Sequence, residues 1–170
     1  VYFEFDLEKH IPMGSGLGGG SGNAAVALRG MNQLLGKPFS NKILCEMAAA
    51  LGSDCSFFID GQPAWMRGRG EVIDPLPVAA AARLRGTRIL LFRPDFSVET
   101  ASAYRRLAAG APNSYETEAD GMARLTHFSE TECLDDLLYN SFEVPVGNKY
   151  LAIATLLQQL RASGVACLMS

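Results

Sequence analysis

Polar and apolar positions alternate at the start of the chain. Tyr2, Glu4, Asp6 and Glu8 interleave with Phe3, Phe5 and Leu7, the period of a strand with one buried face. A glycine-rich stretch at 14–22 interrupts the pattern, and helical spacing follows with Ala24, Leu28, Met31 and Leu35 on one face and Gly36 and Pro38 as stop signals. Ser40 reads as the N-cap of a second helix that turns Ile43, Leu44, Met47 and Leu51 inward before Gly52. Asp54 then falls just past a helix end, ahead of a strand or buried turn at 55–59. Residues 62–77 predict a hairpin, with strands at 64–66 and 71–73 around a turn at 67–70. The alanine-rich joint at 79–85 is the expected domain boundary. Beyond it the pattern predicts a buried strand at 88–92, a loop at 94–97, a helix at 100–108 and a polar surface loop at 110–121. An amphipathic helix at 149–161 carries Leu151, Ala154, Leu157 and Leu160 and ends by Gly164. Residues 165–170 look like a strand entering the core. No internal repeat is evident.

Composition narrows the classes. With 48% apolar and 19% charged residues among 170, the chain has material for a packed core and is not disordered. A net charge of −3 argues against a nucleic-acid or polybasic membrane surface. Cys45, Cys55, Cys133 and Cys167 lack zinc-ligand spacing and are expected as buried thiols of a reducing compartment. The first residues lack a signal peptide's basic and apolar regions. The uncharged run at 11–28 is too rich in glycine, serine and asparagine for a membrane span. A soluble, cytoplasmic protein is the expectation, or a plastid stromal one if the source is a plant. Both ends fall within predicted strands, so a piece of a longer protein is expected.

The chemistry concentrates in two places. A strand, a glycine loop and an alanine-rich helix start form a recipe for binding phosphate: glycines admit backbone N–H groups to the anion and the helix directs its positive end there. No Lys-Ser or Lys-Thr closes the loop as in a Walker A motif, and no acidic residue follows at Rossmann spacing. By glycine content alone, a flexible turn without ligand also fits. Asp54 by itself fits a turn or capping aspartate.

The sequence Pro12-Met13-Gly14-Ser15-Gly16-Leu17-Gly18-Gly19-Gly20-Ser21, followed by Ala24-Ala25, resembles the ATP-binding motif of the GHMP kinases. Within that family the triple glycine is similar to the branch acting on 4-diphosphocytidyl-2-C-methyl-D-erythritol. A second block, Leu51-Gly52-Ser53-Asp54-Cys55-Ser56-Phe57-Phe58 with Gly61, Ala64, Gly68, Gly70-Glu71 and Pro75-Leu76, resembles the same branch, at the separation from Pro12 expected there. Asn140 and the terminal 165–170 segment look like its C-terminal half. The resemblance spans nearly the whole chain.

It implies an α+β fold: a ribosomal protein S5 domain 2-like ATP-binding part at 1–78 and a ferredoxin-like part at 86–170, both incomplete. It implies ATP and Mg²⁺ as cofactors and a small-molecule alcohol, the cytidyl diphosphate methylerythritol, as substrate. Asp54 matches the catalytic aspartate, which takes or orients the acceptor hydroxyl and so also counts as substrate-binding. Pro12, Met13, Gly14, Ser15, Gly16, Leu17, Gly18, Gly19, Gly20, Ser21 and Gly22 would hold the ATP phosphates, with the Ser21 hydroxyl near the β-phosphate or Mg²⁺. Lys9 matches a lysine that reaches ATP, though a solvated strand-end lysine fits too. Thr100 matches a position near the substrate, and helix N-cap is its other reading. No residue is assigned as a protein metal ligand. Arg67 and Arg69 read as a solvated hairpin rather than a phosphate site, and Trp65 as core. His10 and His127 show no partner and are assigned nothing.

The departures from the pattern are Gly22 in place of a second serine, and Ser53, Cys55 and Ser56 in place of the usual Ala, Val and Pro. Loss of that proline is expected to loosen the Asp54 backbone. The resemblance further places a lysine and cytidine-binding aromatic residues before Val1 and a third glycine motif after Ser170, so the chain alone is expected not to turn over. Another GHMP small-molecule kinase of homoserine or mevalonate type, or an inactive nucleotide-binding homologue, are the alternative readings.

Overall fold

The computed structural model describes residues 1–68, 70 and 72–169. Arg69 and Glu71 of the expected hairpin, and Ser170 of the expected terminal strand, lie outside the described residues. The chain forms two compact units, Val1–Arg85 and Gly86–Ser170.

The first unit is built on three helices, α1 (Gly19–Leu34), α2 (Asn41–Leu51) and the short α3 (Phe57–Asp60). Their shared core is Ala25, Leu28, Leu44, Ala48, Cys55 and Ile59, with Ala24, Met31, Cys45 and Phe58 packed against it. The inward faces are rotated from the sequence pattern. Leu35 lies past the end of α1 and is exposed, while Ile43, Met47 and Leu51 are open to solvent and Leu44 and Ala48 take the interior. Small Ala25 and Ala48, both fully buried, allow α1 and α2 a close approach that the larger residues would prevent.

Asn32 sets the turn between α1 and α2. The helix ends in a Schellman arrangement, with Lys37 N–H donating to Asn32 O at 2.7 Å and Gly36 N–H to Gln33 O at 3.1 Å. The buried Asn32 side chain then receives Phe39 N–H and donates to Phe39 O, both at 3.0 Å. Asn32→Ala would strand both Phe39 groups and is expected to destabilise the unit by about 1–3 kcal/mol, read as a lowered denaturation midpoint with unchanged m-value. Ser40 caps α2 as predicted, accepting from Ile43 N–H at 3.4 Å.

A two-stranded antiparallel sheet follows, β1 (Ala64–Arg67) with β2 (Val72–Pro75), in the register Ala64↔Pro75 to Arg67↔Val72. Arg67 ties the ribbon diagonally, its Nε and Nη2 donating to Asp74 Oδ2 at 2.9 and 2.7 Å. The alanine-rich segment expected as an irregular joint is a helix, α4 (Val78–Leu84), burying Ala80 and Ala81. Alanine has the highest intrinsic helix propensity, which decides the matter.

In the second unit, α5 (Thr100–Ala109), α6 (Glu118–Thr131), α7 (Glu143–Gly147) and α8 (Leu151–Ala162) bury Ala103, Leu107, Phe128, Val146 and Leu157. α6 begins inside the segment expected as a polar loop. A reciprocal capping box causes this: Asp120 N–H donates to Thr117 Oγ1 at 3.1 Å, and Asp120 Oδ2 receives Thr117 N–H at 3.3 Å. In α8 only Leu157 of the predicted face is buried, and Leu151 is 70% exposed at the first turn. Cys167 is half-buried and Cys133 exposed, against the expectation of buried thiols, and all four cysteines are free.

Three predicted strands are not formed: residues 2–8, residues 88–92 and the described part of 165–170. Alternation or apolarity makes a strand only where another strand supplies hydrogen bonds, and among the described residues β1 and β2 pair solely with each other. Leu90 is accordingly 94% exposed rather than buried. The 165–169 segment is instead tied by side chains: Asn140 Nδ2 donates to Met169 O at 2.6 Å, and Glu143 Oε1 receives Met169 N–H at 3.0 Å. The architecture is α+β, with its strands in the first unit. Among the described residues, no helix is long and apolar enough to cross a membrane.

Candidate functional site

The glycine loop leads directly into α1 and lines an open concavity of about 510 Å³. Lys9 and every residue from Pro12 to Ser21 border it, joined by Glu8, His10, Ile11 and Asn23. Gly22 does not line the concavity; a Cβ there would lie 3.6 Å from Phe58 Cδ1 in ordinary contact.

Local sequence explains the shape. Gly18, the N-cap of α1, has φ +66 and ψ +15, a left-handed conformation that side chains resist. A Cβ on it would stand 2.7 Å from Phe58 Cζ, so the ring is seated where only glycine leaves room. Across the neck of the loop, Ile11 lies against Gly19, with 3.1 Å from a built Cβ to Ile11 Cγ2. Gly14 and Gly20 have nothing within 4 Å of a built Cβ and leave the backbone open to an incoming group. The α1 N-cap makes no side-chain hydrogen bond, and the first turn carries no acidic residue. First-turn N–H groups and the positive end of a 16-residue helix therefore point to the concavity unneutralised by the helix's own side chains.

These features suit phosphate oxygens. Lys9 adds positive charge, and the Ser21 hydroxyl is a hard oxygen donor of the kind Mg²⁺ takes alongside phosphates. Among the described residues no group of three His, Cys, Asp or Glu side chains could hold a metal ion alone.

Asp54 sits on the turn between α2 and α3, exposed, and receives the Ser53 hydroxyl on Oδ1 at 3.1 Å. It is not among the residues lining the glycine-loop concavity. The two motifs are linked through Phe58, whose ring supports Gly18 while its chain continues from the Asp54 turn. At Ser56, where the family pattern has proline, a side chain ties the backbone. Ser56 is buried and its hydroxyl donates to Cys45 O at 2.8 Å, while Cys55 fills the core beside it. A hydroxyl bond thus stands at the position where the family pattern has proline. Burial, with Asp60 and Glu46 nearby, pushes the Cys45 thiol pKa up.

Thr100 lies in the second unit as the exposed first residue of α5, and the N-cap is Glu99, so Thr100 is not the cap. Trp65 is half-buried on β1 with its Nε1 buried and without a partner among the described residues. The histidines do have partners: His10 Nε2 is 3.4 Å from Glu8 Oε1, and His127 Nδ1 is 3.0 Å from Asp136 Oδ2. The Thr131 hydroxyl, then His127, hold the Asp136 carboxyl below its ordinary pKa. Sequence reasoning missed Phe58 as the support of the loop. Its signal was the aromatic pair Phe57-Phe58 directly after the aspartate block.

Residues 2–62 match the family described as GHMP kinases N terminal domain. The 4-diphosphocytidyl-2-C-methyl-D-erythritol kinase of Desulfitobacterium hafniense is 38% identical over 146 residues, 86% of this chain and 48% of that protein. The kinase of the same name from Geobacillus kaustophilus is 34% identical over 165 residues, 96% of this chain and 54% of that protein. The chloroplastic one from Mentha piperita is 32% identical over 163 residues, 96% of this chain and 38% of its own length. The chain spans about half the length of the curated bacterial relatives it matches.

Proposed function

We propose that this is a chain of the GHMP kinase family and that the protein it represents is an ATP-dependent kinase, on the match of residues 2–62 to the family's N-terminal domain and the 34–38% identity to two bacterial kinases. Its acceptor is the 2-hydroxyl of 4-diphosphocytidyl-2-C-methyl-D-erythritol, a step of the non-mevalonate isoprenoid route. The observation that carries the reading is the Gly18–Phe58 contact, which builds the phosphate-shaped loop and the aspartate turn as one packed unit.

The loop amides and Lys9 would hold and partly neutralise the phosphates. Mg²⁺, when bound, would offset charge on the β- and γ-phosphate oxygens, with Ser21 near it. Asp54 takes or orients the acceptor proton. The hydroxyl oxygen forms its bond to the γ-phosphorus as the bond to the β–γ bridging oxygen breaks, and ADP leaves with that electron pair. The reaction is loose and electrostatic, so aiming the nucleophile is the main demand on the protein. Thr100 is assigned to the acceptor side by its place in the motif alone.

By the same resemblance, residues 1–78 and 86–170 are proposed as parts of an S5 domain 2-like ATP-binding domain and a ferredoxin-like domain. The compartment is proposed as cytoplasm, or plastid stroma in a plant. A coupled ADP-release assay on the protein as encoded tests the function with the cytidyl acceptor, homoserine and mevalonate side by side. Turnover dependent on the cytidyl compound is expected; preference for either other alcohol would overturn the assignment.

A further inference from the structure

We infer that Ser53 and Gly70 are positioning residues for the Asp54 carboxylate: the Ser53 hydroxyl engages Oδ1, the bare Gly70 leaves that arrangement its room, and Oδ2 is the oxygen that meets the acceptor hydroxyl. The inference rests on the reading of Asp54 as the carboxylate that handles that hydroxyl. Asp54 is exposed, and an unrestrained carboxylate on an exposed turn samples several rotamers, few of them aimed at a nucleophile.

Two groups restrict it here. The Ser53 hydroxyl donates to Oδ1 at 3.1 Å. From the hairpin, the bare Gly70 leaves this turn its room: a Cβ built there would come into contact with Asp54 Oδ1 at 3.5 Å and crowd Ser53 O at 3.2 Å. Gly70 has φ +105, so a side chain there would be strained as well as crowded against backbone. The hairpin can bear on the turn because it is itself tied, by its register and by Arg67 on Asp74 at 2.7 Å. Behind Asp54, buried Cys55 and the Ser56 bond to Cys45 O hold the chain from the other side. With the backbone fixed on both sides and one oxygen engaged, the other oxygen has a defined direction.

The test uses the protein as encoded, with ATP and the cytidyl acceptor. Variants Ser53→Ala, Ser53→Thr, Gly70→Ala and Asp54→Asn are compared by kcat and by KM for ATP and for the acceptor. Ser53→Ala is expected to lower kcat about tenfold with KM for ATP unchanged. Ser53→Thr, which keeps the hydroxyl, should restore kcat. Gly70→Ala should also lower kcat without changing KM for ATP. Should that variant fail to fold, Ser53→Ala decides alone. An inactive Asp54→Asn beside a Ser53→Ala enzyme with wild-type kcat would overturn the positioning role and leave the Asp54 reading intact. An Asp54→Asn enzyme within a few fold of wild type would remove the reading itself.

Discussion

Replacing Asp54 by asparagine is expected to cut turnover by about 10²–10⁴-fold while leaving ATP binding close to wild type. The separation follows from the geometry. Asp54 stands on the α2–α3 turn and does not line the glycine-loop concavity, so the amide groups assigned to the phosphates keep their places when the carboxylate is neutralised. Asparagine preserves size and can still receive the Ser53 hydroxyl on its carbonyl oxygen, which keeps the turn intact. What it loses is the ability to take a proton and the charge that favours the nucleophilic form of the acceptor. Steady-state kinetics with nucleotide binding by calorimetry checks both halves. Equal losses in the two would show that Asp54 supports the loop instead of the chemistry.

Gly18→Val is the second large effect, and it should invert that pattern by weakening ATP binding tenfold or more. A β-branched residue at φ +66 carries strain of about 1–3 kcal/mol before any contact is considered. Its Cβ would also fall 2.7 Å from Phe58 Cζ, on a ring packed against the α1–α3 core. Either the ring leaves the core or the loop gives up its curvature. The variant should therefore melt earlier than the parent and lose nucleotide affinity together, which thermal unfolding and calorimetry measure independently. A stable variant with full affinity would show that the curve at Gly18 is dispensable.

The helices were readable because their signals are local. Ser40 as a cap, Gly36 as a stop and the α1 and α2 spans are all specified within one or two turns of sequence. The faces of those helices were not so readable, since whether Ile43 or Ala48 turns inward depends on how closely the partner helix approaches. The strands at 2–8 and 88–92 failed for a related reason: alternation and apolarity state a preference, and a ladder needs a second chain segment that the pattern does not name. The alanine run at 79–85 looked like low complexity, yet alanine's own propensity made it α4. In the site, the two motifs were visible as residue types at a given separation. Their connection through Phe58, and the Ser56 bond to Cys45 O, exist only in three dimensions.

The unpaired run at 88–92 has a colloidal consequence. Ile89, Leu90, Leu91 and Phe92 are all more than 60% exposed on a stretch with its backbone outside any ladder. A short, β-prone, apolar segment with free edges templates pairing between molecules. In a concentrated solution of this chain, self-association would be seeded here, and the flanking Arg88 and Arg93 are the charges that oppose it.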